Sequence, residues 1–375
     1  MLMSDDSSMT RRRLTLAGFV IAVISAGYFS VQTSVGAGAL PERLTDKAFW
    51  ALSTELSEEN GYFRSDNLVS NEVWMQHVIA DLVKGTKPGR VYLGVGPEQN
   101  FTYIAAVKPA MVFIVDVRRE NLQLHLMYKA LFELSKDRAE FVSRLFSKKR
   151  PQGLTTRSSA EEIFNAYAEV PTSEALYKEN LKAIQDHLLK TRGLPLSEED
   201  LKGIEYVIYQ FYWFGPVITY SSTNPTNGRM RGGNTMPTYY DVMLSTDAEG
   251  RNRGYLSEEE NFLFVKHLHS RNMLVPVVGN FGGVKALRAV GRYLREQGAT
   301  VAAFYLSNVE QYLLQSGLIP AFCNNVATLP LDEQSTFIRS VRGGPPGPTF
   351  NGTFRFGGLV NQLGSMLAET RSCPK

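Results

Sequence analysis

Apolar positions in this chain follow two spacings. Short continuous runs, Val91-Tyr92-Leu93, Met111–Val115, Met273–Val278 and Thr300–Leu306, have the length and branched content of buried strands. Segments between and around them repeat apolar residues at helical spacing. Residues 40–88 read as two helices, the second capped by Asn71, ended at Gly85 and carrying the pairs Trp74/Met75, Val78/Ile79 and Leu82/Val83. Such a leading helix is expected to pack on the sheet near the first strand. A short helix over Glu98–Val107 stops at Lys108-Pro109, because a residue before proline is pushed out of the helical region. A longer one runs from Arg119 to about Lys136, and an amphipathic one covers Val284–Glu296 before Gly298.

Residues 137–214 interrupt the alternation of strand and helix. Ser159 with Glu162 and Ser197 with Asp200 have the spacing of capping boxes, and Leu201, Ile204, Val207, Ile208 and Phe211 share one helical face. The region is therefore expected to be a helical insertion, closed by the aromatic cluster Tyr209–Phe214, and such insertions often roof a ligand site. Pro216–Tyr220 has the composition of a further strand, and Tyr239–Leu244 fits a strand or a helix start. Ser257-Glu258-Glu259-Glu260 has the spacing of another capping box. Gly343–Pro348 cannot be regular, so the tail from about 342 to 375 is expected to be irregular. Strands joined through helices imply right-handed crossovers. The fold class that results is α/β: Rossmann-like, with a mostly parallel sheet and flanking helices, plus the helical insertion.

Arg90–Asn121 organises this plan. A strand breaks into Gly94-Val95-Gly96, a helix follows, and a second strand ends on Asp116, about 20 residues beyond the glycines. Two glycines let the backbone turn sharply and approach a ligand, and the helix start offers free N–H groups and a positive dipole end. An acid at the position of Asp116 can accept from both hydroxyls of a ribose; as an N-cap it could instead serve the helix that follows. A dinucleotide fingerprint would have a third glycine where Gln99 stands. Glu98 would repel a phosphate at this turn, which favours a ligand without phosphates.

Ligands of open α/β sheets sit beyond the carboxyl ends of the strands. The residues at those ends are Gly94, Gly96 and Glu98, Asp116 and Arg118, Ser221 and Ser222, Gly279 and Asn280, and Ser307, Asn308 and Glu310. Gly94, Gly96, Glu98, Asp116 and Arg118 are candidate cofactor-binding residues. Asn280, Asn308 and Glu310 are candidates to hold polar groups of a substrate, with Asn308 alternatively a helix cap.

Composition narrows the classes. The chain of 375 residues carries a net charge of only +3, and no basic block or basic–aromatic stripe points to nucleic acid. His267 and His269 lie two apart on a helix and face different ways, so no metal site is expected there. HExxH, Walker A, GxSxG and CxxC motifs are absent, leaving hydrolase and phosphotransferase readings without a nucleophile or phosphate cradle. Arg11-Arg12-Arg13, an apolar stretch to about Val31 and Ala37-Gly38-Ala39 have the plan of a secretory signal over residues 1–39, with a twin-arginine flavour. An uncleaved membrane anchor is the alternative. Both place residues 40–375, expected to form one domain, outside the cytoplasm in the periplasm or facing it. Cys323 and Cys373 could then pair, or remain free thiols.

Tyr92–Asn121 resembles the first half of a class I S-adenosylmethionine-dependent methyltransferase. The resemblance implies that Gly94 and Gly96 contact the methionine part of S-adenosylmethionine and that Asp116 binds its ribose. Tyr92 stands where that family commonly has an acid, and Glu98 replaces its last glycine. YLGVGPEQN, VDVRREN, VVGNFGG and FYLSNVEQYL together also resemble an uncharacterised bacterial family with methyltransferase-like folds, over most of residues 60–320. S-adenosylmethionine is made in the cytoplasm, whereas the leader exports the chain. Two functions are therefore expected in competition: a methyltransferase-like protein binding S-adenosylmethionine or a related nucleoside, and a non-catalytic extracytoplasmic binding or envelope protein on the same fold.

Overall fold

The computed structural model describes residues 39–223, 236–343 and 359–373. The expected leader lies outside the described residues, except for Ala39, and so does most of the Gly343–Pro348 run. Helix α1 (Asp46–Leu56) leads through an irregular segment and a 3-10 turn (Met75–Val78) to α2 (Ile79–Gly85). The unit β1 (Val91–Gly94), α3 (Gln99–Val107) and β2 (Met111–Asp116) follows, then α4 (Arg119–Leu134). Four helices come next: α5 (Arg138–Phe146), α6 (Ala160–Ala168), α7 (Glu174–Asp186) and α8 (Glu198–Phe214). The chain continues through α9 (Tyr239–Leu244), α10 (Glu259–Ser270), β3 (Leu274–Val278), α11 (Ala286–Glu296) and β4 (Val301–Ser307). It ends with α12 (Val309–Gln315), α13 (Ile319–Val326), β5 (Thr336–Arg342), β6 (Leu359–Ser365) and α14 (Met366–Thr370).

The six strands lie in the order β3-β2-β1-β4-β5-β6. All neighbours pair parallel except β6, which runs antiparallel to β5. This is the Rossmann-like α/β arrangement, and the order reverses between β1 and β4, the switch point where such sheets open a crevice. Every residue of β1, β2 and β3 is buried, which explains their unbroken apolar runs: helices cover both faces. Helix α1 packs on β3 and α11; α2 packs on α3, and the 3-10 turn before it packs on β6. Helix α8 lies against α4 and α5.

Local chemistry explains the helices and several departures. The Ser159–Glu162 and Ser197–Asp200 capping boxes are both formed, and Thr238 with Asp241 makes a third. That third box settles Tyr239–Leu244 as a helix. Pro216–Tyr220 is not a strand. Gly215–Val217 is a 3-10 turn, and only Thr219 bridges another segment, at Thr238; a proline cannot donate to a ladder. Asn71 caps nothing, because a 3-10 turn at Met75 precedes α2. Ser257 donates instead to the Gly254 carbonyl at 2.6 Å, leaving α10 without a side-chain cap. The tail is more regular than expected: it carries β6 and α14.

A buried ionic cluster binds the end of α7 to the sheet side. Lys129 Nζ on α4 donates to Glu133 Oε1 at 2.8 Å, to the His269 carbonyl at 2.6 Å and to Asn272 Oδ1 at 2.6 Å. Glu133 Oε2 meets His187 Nε2 at 2.5 Å and Arg192 Nε at 2.8 Å. Burial pushes the Glu133 carboxyl up, but the His187, Lys129 and Arg192 contacts outweigh it and hold the group at about 2.

Cys323 on α13 and Cys373 after α14 form a disulfide, 50 residues apart in sequence. In the chain-entropy account, closing a loop of that length restricts the unfolded chain by about 4 kcal/mol. Cys373→Ser is expected to lower unfolding free energy by about 2–4 kcal/mol in urea titrations. Equal stability with and without reductant would show that the bond contributes nothing.

Candidate functional site

A cavity of about 1050 Å³ lies over the carboxyl edge of the sheet. Its lining draws on the ends of β1, β2, β3, β4 and β5, on residues 62–72, and on the segments around Tyr220, Met236 and Leu359. Four of the eight candidate residues line it: Gly96, Asp116, Asn280 and Asn308. Gly94, Glu98, Arg118 and Glu310 do not.

The elbow after β1 shows why its two glycines differ. Beneath Gly94, a Cβ would fall 1.9 Å from Asn100 Oδ1. Asn100 Nδ2 donates to the carbonyls of Val95 at 2.9 Å, Gly96 at 3.3 Å and Pro97 at 2.8 Å, while its Oδ1 accepts from Tyr92 at 3.0 Å. Gly94 is therefore a packing glycine, which makes room for the side chain that ties the elbow. Gly96 has φ +76° and faces the cavity, which is the conformation a Cβ would strain.

Asp116 ends β2, the direct neighbour of β1, with Gly94 paired to Ile114. Its Oδ1 accepts from the Arg118 amide at 3.0 Å. Burial raises the Asp116 carboxyl above its ordinary value; the Arg118 charge and the amides of Arg118 and Gly96 pull it back. Elbow and acid thus meet at one point on the cavity floor. The N-cap of α4 is Arg118, not Asp116. The Arg118 guanidinium is buried away from the cavity: Nη1 donates to the Asp66 carbonyl at 2.6 Å, and Nε lies 3.6 Å from Asp116 Oδ1.

Asn280 and Asn308 sit at the ends of β3 and β4. Asn308 occupies the cap position of α12 but makes no side-chain capping bond. Glu310 is clamped by Arg339 of β5, at 2.5 and 3.1 Å, and serves the fold. At the second glycine turn the Glu58 carboxylate accepts from the amides of Asn280 at 3.0 Å, Lys285 at 2.8 Å and Ala286 at 2.8 Å. The positive end of α11 is therefore already neutralised from within the chain.

One wall residue, Glu72, carries no sequence signal. Glu72, 1% exposed, accepts at Oε1 from Tyr305 at 2.5 Å and Ser307 at 2.7 Å, and at Oε2 from Asn361 at 2.9 Å. Ser307 reaches it from a left-handed backbone, φ 49°, a strained conformation of the kind that collects at functional sites. Glu72 precedes β1 by about 19 residues, outside any motif, and only the fold brings it to the switch point.

Glu98 turns inward. Its Oε1 accepts from the Ser70 amide at 2.9 Å, and Oε2 has no partner among the described residues. Burial pushes this carboxyl from 4.5 up to about 7, the Ser70 amide resisting and the Glu72 charge adding. Nearby His125 donates from Nε2 to the Gly96 carbonyl at 2.9 Å, and burial pushes it from 6.5 down to about 4. The two act on stability with opposite signs. A raised carboxyl contributes most below pH 4.5, and that contribution is lost as pH rises through about 7. A lowered imidazole contributes most above pH 6.5, and that contribution is lost as pH falls through about 4. Each is worth about 3 kcal/mol across its window, so they nearly offset between them. Replacing either group should expose the other. Relative to wild type, Glu98→Gln is expected to gain stability as pH rises from 4.5 to 7. His125→Gln is expected to gain as pH falls from 6.5 to 4. Urea titrations across that range read both slopes, and parallel profiles for the three proteins would refute the opposition.

A family model described as a domain of unknown function (DUF7790) matches residues 67–198 and 219–354 of the chain. No curated protein matches it.

Proposed function

The chain belongs to the DUF7790 family, and we propose that its cavity binds a nucleoside ligand, S-adenosylmethionine or a compound of like shape, by the ribose. The observation that carries this reading is the meeting of Gly96 and Asp116 on the cavity floor. An ionised carboxylate beside a glycine elbow can accept from two vicinal hydroxyls while the bare backbone lets the sugar approach. A cavity of about 1050 Å³ has room for such a molecule together with a second one. Methyl transfer asks mainly that donor and acceptor be held in line, so the lack of a nucleophile motif does not oppose it.

Glu98 no longer argues against phosphate-bearing ligands, since it points away from the cavity. At the second glycine turn Glu58 closes the start of α11 to a phosphate. The favoured partner remains a small molecule without phosphates, not a nucleic acid. Titration calorimetry of the full chain with S-adenosylmethionine tests the reading. Wild type is expected to bind, Asp116→Ala to lose about tenfold or more in affinity, and binding to weaken with acid at a pH above the ordinary carboxylate value, because the charged form is the acceptor. Unchanged affinity in Asp116→Ala would remove this residue from the site.

The second reading, a non-catalytic extracytoplasmic binding or envelope protein, is favoured by the disulfide, which belongs to oxidising compartments. In it the chain is exported, periplasmic or held at the membrane by residues 1–39; among the described residues no helix is long and apolar enough to cross a membrane. A reporter fused after Ala39 should fractionate outside the cytoplasm. Cytoplasmic retention of the fusion would remove the objection to S-adenosylmethionine as ligand and overturn the export reading.

A further inference from the structure

The cavity wall on the far side of β1 from Asp116 carries two buried acceptor groups, Glu72 and Gln99. Glu72 accepts a hydrogen bond from the Tyr305 hydroxyl at 2.5 Å, so the Tyr305 oxygen must itself accept, and it does so from Gln99 Nε2 at 3.0 Å. That orientation of the Gln99 amide leaves its Oε1 buried without a donor. Gln99 is 3% exposed and lines the cavity. The same logic fixes Asn361: Nδ2 donates to Glu72 Oε2 and to Ser340 Oγ at 3.0 Å, which strands Oδ1. No basic side chain pairs with Glu72 among the described residues, whose ion pairs lie elsewhere. Buried acceptors and buried carboxylates are ordinarily matched by donors and cations. Three donors reach Glu72 here but no cation does, and two amide oxygens have no donor among the described residues.

We infer that the cavity corner formed by Glu72 and Gln99, with Asn361 bonded to Glu72 from outside the lining, receives a primary ammonium group of the ligand, and hence that the substrate class is an amine. An ammonium is compact, positively charged and carries three donors with no acceptor, the complement of this set. A guanidinium needs a flat fork of acceptors, and an alcohol would bring a single donor and no charge to the Glu72 carboxylate. The inference deepens the nucleoside reading of the same cavity and rests on it only in taking the cavity as a ligand site. It uses groups on β4, β6 and α3, whereas the ribose acceptor Asp116 ends β2.

The test uses the full chain and a matched pair of probes, pentylammonium and 1-pentanol, followed by titration calorimetry. Wild type is expected to prefer the amine by roughly tenfold. Glu72→Gln should erase the preference while leaving pentanol unaffected. Gln99→Met, which keeps the carboxylate, should reduce it severalfold and serves if the first variant does not fold. Equal binding of the two probes, or a preference that both variants retain, would overturn the inference, as would tight binding of calcium ion in place of the amine. Adenosine run in parallel separates the two readings. Adenosine binding without an amine preference sinks the ammonium corner alone, whereas an amine preference without adenosine binding sinks the nucleoside reading alone.

Discussion

The shape of the carboxyl edge depends on one side chain, Asn100, folded beneath Gly94. Three consecutive carbonyls of the elbow converge on its Nδ2. That anchor, together with His125 on the Gly96 carbonyl, holds the path of the loop after β1 and sets the bare face of Gly96 beside Asp116. A glycine at residue 94 is the condition for this packing, since any Cβ there would occupy the space of the amide oxygen. The elbow is thus a rigid part of the core that happens to border a cavity. Rigid support of this kind is what a site needs if a ligand is to be held in one pose.

Much of the architecture was readable from the chain. The runs at β1, β2, β3 and β4 are continuous because both faces of the sheet are covered, and continuity is a strong signal. The rule that ligands gather beyond strand ends located Gly96, Asp116, Asn280 and Asn308 on the cavity wall. It overreached where sequence adjacency was taken for spatial adjacency. Residues 96 and 98 are two apart, but at a helix start successive side chains point in different directions, and Glu98 faces the core. Arg118 and Glu310 were drawn away by the Asp66 carbonyl and by Arg339.

Glu72, Gln99, Tyr305 and Asn361 were illegible for a different reason. They come from positions spread over nearly three hundred residues, and no spacing connects them. Their meeting follows from strand order alone: β4 lies next to β1, and β6 returns antiparallel beside β5. The pairing of β6 was itself hidden, because its burial pattern mixes buried, half-buried and exposed positions instead of giving an apolar run. Long-range convergence of polar side chains leaves no periodic trace in a single sequence.

The Glu58 carboxylate at the head of α11 has a directional consequence. A doubly wound sheet normally offers two helix mouths, either of which can greet a negatively charged group. Here one mouth is stoppered by the chain's own acid, across a turn in which Gly283 leaves no room for a side chain. A visitor therefore meets a lopsided chamber, capped by the chain's own acid along the β3 rim and bare at the glycine elbow beside β1. Such lopsidedness gives an entering molecule a head and a tail before any contact with Asp116 is made.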